Sequence, residues 1–95
     1  MAAYVIAHVK IHDPVGFEVY RRMFRESIGP YGCRPLAASA PVEVKEGEWP
    51  EGVTVVLEFP SMEKAKEWYD SPKYQEAIAV REKASEASFA FVDCL

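Results

Sequence analysis

The run from Val53 to Arg81, VTVVLEFPSMEKAKEWYDSPKYQEAIAVR, constrains the fold more than any other part of the chain. It opens in strict alternation, with Val53, Val55, Leu57 and Phe59 on one side and Thr54, Val56 and Glu58 on the other, the period of a strand with one buried face. Pro60 ends the ladder. Ser61 is a natural N-cap, and Glu63 brings a negative charge to the first helical turn, where the helix dipole favours it. Met62, Ala65 and Tyr69 form one helical stripe with Trp68 beside it. Ser71-Pro72 then breaks and restarts the helix, with Tyr74, Ile78 and Arg81 in register.

The first third of the chain has the same strand-to-helix order. From Tyr4 to Ile11, Val5, Ala7, Val9 and Ile11 alternate with Tyr4, Ile6, His8 and Lys10. Asp13 caps a helix that begins with Pro14, which has no N–H to leave unpaired, and Phe17, Tyr20, Phe24 and Ile28 follow at helical spacing. Gly29-Pro30 ends that helix, and Gly32 supplies a left-handed turn into a second strand over Arg34 to Ser39. Pro41 interrupts this strand, so Val42 to Lys45 bends away or lies at an edge. Glu46 to Gly52 is a polar turn carrying Trp49, and Phe89 to Leu95 is the last strand. The resulting β-α-β-β-α-β order predicts a ferredoxin-like α+β domain over residues 1–95, an antiparallel sheet with both helices on one face.

A single helix layer leaves the other sheet face uncovered. That face carries Tyr4, Ile6, His8, Thr54, Val56 and Glu58 and, being partly apolar, is a natural surface for self-association. The 49% hydrophobic and 27% charged composition is that of a folding chain, and 95 residues bury only a modest share of their unfolded surface, which makes pairing favourable. A net charge of −4 leaves no basic stripe for phosphates, so nucleic acid is not an expected partner. No apolar run approaches a membrane span, and the simplest expectation is a cytoplasmic protein. Cys33 and Cys94 form neither a disulfide framework nor a C-x-x-C pair, and read as buried free thiols.

Asp13-Pro14, Tyr20, Tyr31-Gly32, Glu46-Gly47, Trp49-Pro50, Glu58-Phe59-Pro60-Ser61, Trp68-Tyr69, Ser71, Tyr74 and Arg81 together resemble the recurring positions of the uncharacterised family catalogued as domain of unknown function 1330, within the dimeric α+β barrel superfamily. The resemblance covers nearly the whole chain. It implies a homodimer in which two open sheet faces meet, and it transfers no reaction. Its superfamily includes cofactor-independent monooxygenases, lactone isomerases and haem-using relatives that bind small molecules between sheet and helix or inside the barrel. The chain departs from the family at Cys33 and at Ser39-Ala40, where paired glycines are common.

His8, the one strand histidine on the open face, is a candidate acid–base group, and Glu58 shares its face by parity. Arg81 is a candidate clamp for a substrate carboxylate, with an ion pair to Glu58 or another carboxylate as its structural alternative. Trp49 and Tyr4 are candidate substrate contacts; Trp49 lies in a turn where no helix or strand face accounts for burying its ring. Tyr69 and Tyr74 read as packing. His8 and His12 would lie about 13 Å apart along a strand, so no metal site is expected. No catalytic triad, P-loop, dinucleotide fingerprint or H-E-x-x-H motif occurs. The leading expectation is a small enzyme, monooxygenase-like or isomerase-like, acting on an organic molecule with no bound cofactor. The alternative is a non-catalytic small-molecule-binding or structural homodimer.

Overall fold

The computed structural model describes residues 2–95, the Ala40 side chain excepted. Strand β1 (Ala3–Ile11) leads into helix α1 (Pro14–Ser27), a short 3-10 turn (Gly29–Tyr31), β2 (Arg34–Ala40), β3 (Val53–Phe59), α2 (Met62–Asp70), α3 (Pro72–Ala84) and β4 (Ser85–Asp93). The sheet order is β2-β3-β1-β4 and every pairing is antiparallel, the split arrangement expected of a ferredoxin-like domain.

The helix starts follow from local chemistry. The Asp13 carboxylate accepts from Gly16 N–H at 3.2 Å, and the Ser61 hydroxyl accepts from Lys64 N–H at 3.1 Å. Ser71 serves both sides of the helical break, accepting from Tyr74 N–H at 3.3 Å while donating to the Trp68 carbonyl at 2.7 Å. One buried serine thus closes α2 and opens α3, so the second crossover is two helices instead of one. Gly32 is left-handed at φ 68, as the turn into β2 requires.

One segment differs from the sequence expectation, and another follows it. The last strand begins at Ser85, four residues before Phe89, and ends at Asp93. Pairing with β1 runs from Ile11↔Ser85 to Ala3↔Asp93, so backbone hydrogen bonding to a full-length neighbour recruits Ser85, Glu86, Ala87 and Ser88 despite their weak strand pattern. Val42 to Lys45 joins no strand and is exposed, because Pro41 lacks the N–H that would continue the β2 ladder.

The core lies between sheet and helices. Val5, Ala7, Val9, Leu57 and Phe59 face Phe17, Tyr20, Ala65, Trp68, Tyr74 and Ala77. Trp68 is its hub: its ring lies 3.9 Å from that of Tyr74 and 5.2 Å from that of Phe59, and its indole N–H donates to Ser27 Oγ at 3.0 Å. Ser27 in turn donates to the Phe24 carbonyl, so the buried indole nitrogen is satisfied. The opposite sheet face is uncovered, and the molecule is a slab of 33 × 32 × 16 Å.

Candidate functional site

Two groups of polar residues stand out, one on each side of the sheet. The first lies in the helix layer. Tyr20 on α1 and Tyr74 on α3 approach through their hydroxyls at 2.7 Å, and Arg81 Nη1, two turns after Tyr74, donates to the Tyr74 oxygen at 2.8 Å. Arg81 is 7% exposed, and its guanidinium lies over the Phe89 ring at 4.3 Å and over the Tyr20 ring at 5.9 Å. Among the described residues no carboxylate pairs with it, and its Nε is buried without an acceptor. Burial works against the Arg81 charge, but the Tyr74 and Tyr20 oxygens outweigh that effect and raise its pKa further. Burial likewise pushes both phenols upward, against the lowering influence of Arg81, so both are protonated at neutral pH.

Beside this cluster, between α1 and the sheet, lies a cavity of about 60 Å³. Its walls are Val9, Phe17, Phe24, Val55, Leu57 and Phe89, and its polar lining comes from Tyr20, Arg21 and Ser39. Arg21 Nη2 donates to Ser39 Oγ at 2.8 Å and Arg21 also pairs with Glu18, so a clasp joins α1 to the end of β2. Ser39 has φ 61, the left-handed region in which a side chain is strained. The family resemblance reads Ser39-Ala40 as replacing a glycine pair, and the Ser39 backbone takes the left-handed conformation that glycine favours.

The second group lies on the open face. His8 is opposite Thr54 on β3, and Trp49 folds over this position with its ring 5.3 Å from the imidazole and its Nε1–H directed at Thr54 Oγ1, 3.4 Å away. His8 Nε2 is covered and has no partner. Tyr4 is opposite Glu58, whose carboxylate accepts from Arg34 Nη2 at 2.9 Å.

The structure therefore separates the residues singled out from the sequence. Trp49 meets His8, and Tyr4 meets Glu58, but His8 and Glu58 are four residues apart along paired strands, roughly 13 Å, and do not form one acid–base unit. Arg81 lies across the sheet from both. Its anticipated ion pair is corrected accordingly: Glu58 binds Arg34, while Arg81 binds phenols. Tyr74, read from the sequence as packing, is both packing and the acceptor for Arg81. Tyr20, Arg21 and Ser39 were not legible as site residues; the available signals were two tyrosines on buried helical faces, whose hydroxyls need partners, and a serine at a glycine position. Among the described residues no cluster of His, Cys, Asp and Glu could hold a metal ion. Burial pushes the Cys33 thiol up to about 12, consistent with an inert thiol.

The sheet order, the single helix layer and the interior cavity define a ferredoxin-like α+β protein. The chain belongs to the family described as domain of unknown function (DUF1330), whose model matches residues 2–95. Similar solved structures include the RPA0582 protein of Rhodopseudomonas palustris, 16% identical with a TM-score of 0.73, the match covering 99% of this chain and 81% of that one. SnoaB of Streptomyces nogalater, a cofactor-independent oxygenase, is 9% identical with a TM-score of 0.67, covering 99% and 93% of the two chains. A dimeric ferredoxin-like protein of unknown function from Thermobifida fusca is 14% identical with a TM-score of 0.63, covering 99% and 92%. These likenesses concern the fold. No curated protein matches the chain.

Proposed function

We propose that this protein is a homodimer that takes a small organic molecule into the cavity between α1 and the sheet and acts on it without a bound cofactor, in the manner of a monooxygenase or isomerase. The observation that carries the reading is Arg81. An arginine 7% exposed, with no carboxylate partner among the described residues and an unpartnered Nε, is costly for a small protein to keep unless something else uses its field. Next to it is a cavity with apolar walls and few polar groups, the usual composition of a small-molecule site. The fold shared with a cofactor-independent oxygenase agrees with this reading.

Size favours a modest ligand. About 60 Å³ is less than half of the ~150 Å³ that accepts a benzene ring, so only the leading part of a ring or short chain enters, and the rest extends past Arg21 and Ser39. The same small volume is what favours the second reading, a structural dimer with a nearly filled interior. The open-face residues are assigned to the dimer contact, with His8 held under Trp49 and Tyr4 beside the Glu58–Arg34 pair.

Thermal melts against small aromatic and carbonyl compounds test the reading. A compound at a hundred times its Kd raises native stability by about 2.7 kcal/mol. The shift is expected in the wild-type protein and is lost in Arg81→Met, whereas His8→Ala retains it. A panel that moves no melting temperature, or a shift that survives Arg81→Met, would refute the proposed site.

A further inference from the structure

Hydrogen-bond polarity in the Tyr20–Tyr74–Arg81 cluster deepens that reading and rests on it. Arginine only donates, so the Tyr74 oxygen accepts from Arg81. The two phenols bring two protons, and their 2.7 Å contact uses one of them. The other has no acceptor among the described residues. Tyr74 is fully buried away from the cavity, where a spare proton would be stranded, while Tyr20 lines the cavity. The arrangement that strands no proton runs in one direction, from Arg81 to Tyr74 to Tyr20, and leaves the Tyr20 O–H as the free donor of a residue that lines the cavity. Each donor in such a chain strengthens the next.

We infer that Tyr20, backed through Tyr74 by the Arg81 cation, is the hydrogen-bond donor that meets a single oxygen of the ligand, and that the ligand class is a phenol, an enol or an enolisable ketone. A carboxylate fits less well, because a planar two-oxygen group calls for the guanidinium fork itself, and Arg81 is not among the residues lining the cavity. The walls around Tyr20 are Phe17, Phe24, Leu57 and Phe89, which suit the hydrocarbon part of such a molecule. One donor aimed at an oxygen in a dry pocket favours the oxygen's anionic form, the feature needed to hold an enolate or phenolate. The Arg21–Ser39 clasp, the other polar part of the lining, is then left to the trailing end of the molecule.

The probe is 4-nitrophenol, whose phenolate is yellow, with nitrobenzene as the control that lacks the oxygen and benzoate as the carboxylate control. In the wild-type protein, bound 4-nitrophenol should ionise at lower pH than the free dye, and benzoate should bind more weakly than the phenolate. Tyr20→Phe, checked for native far-UV dichroism, should weaken phenolate binding at least tenfold and abolish the shift in ionisation, leaving nitrobenzene unaffected. If the dye binds but ionises as it does in water, or binds Tyr20→Phe as tightly as wild type, the donor assignment is wrong while the cavity remains a ligand site. Tighter binding of benzoate overturns the ligand class. If neither aromatic probe binds, the inference and the reading beneath it fail together.

Discussion

Arg81 makes its living from oxygens that carry no formal charge. Tyr74 accepts its hydrogen bond, Phe89 and Tyr20 offer ring faces, and the combination holds a buried cation that pairs with no carboxylate among the described residues. The Tyr20–Tyr74 contact needs at least one phenol proton, and burial raises both of their pKa values from the ordinary 10.0. The sign follows directly. As pH climbs past 10 the unfolded chain loses these protons while the folded chain keeps them, so stability is fully present below that value and declines as pH rises toward the folded pKa values. Each retained proton costs up to about 1.4 kcal/mol per pH unit in that window. Urea midpoints measured from pH 8 upward should be level at first and fall steeply above pH 10, with Tyr20→Phe giving a shallower fall. A midpoint independent of pH through the alkaline range would show that the phenols ionise as freely in the folded protein.

Among the elements, the α2–α3 junction couples packing to the site. Asp13 and Ser61 are surface caps at single helix starts, whereas Ser71 is buried and bonds to both helices that meet at it. The amide it caps belongs to Tyr74, the residue that accepts from Arg81. Loss of an ordinary cap costs about 1 kcal/mol. Ser71→Ala should cost about 2 kcal/mol or more, because the fully buried Tyr74 amide loses an acceptor at the same time. Asp13→Ala should cost about half as much. Denaturation midpoints at constant m-value provide the comparison, and equal penalties at the two positions would mean that the junction is an ordinary cap.

For the whole molecule the decisive fact is geometric. One helix layer on one sheet gives a 16 Å slab with a broad uncovered face, and its 33 by 32 Å extents accommodate the ~800 Å² that each partner contributes to a standard interface. Register places Ala37, Val56, Ile6 and Ala90 in an apolar row across all four strands, flanked by the row of Arg34, Glu58, Tyr4 and Val92. A second copy meeting this face would bury the apolar row. Val56→Asp, at the centre of that row, should leave the fold intact and convert a dimer to a monomer in analytical ultracentrifugation, because an unpaired carboxylate in the contact is expensive to desolvate. A dimer of unchanged mass in that variant would place the contact on another surface.

What the sequence determined by itself was everything that depends on short-range spacing. Period two assigned Val5, Ala7 and Val9 to one sheet face and Ile6 and His8 to the other, and the Asp13 and Ser61 caps and the helix restart at Ser71-Pro72 were readable because such signals act within about three residues. The element order extended this to a ferredoxin-like antiparallel sheet, and the family's recurring residues to the chain's membership. Contacts across the chain were decided only by tertiary structure. Parity put His8 and Glu58 on one face, but strand register set them four positions apart and gave Glu58 to Arg34. Helical spacing turned Arg81 inward with Tyr74, yet the partner completing the cluster, Tyr20, lies 54 residues before Tyr74 on another helix. Ser39 could be flagged as a missing glycine, whereas its left-handed backbone falls at a register irregularity in the β2–β3 pairing and its bond to Arg21 forms only because β2 lies beside α1. Short-range order is written in residue spacing, and a site assembled from separate elements depends on how those elements dock.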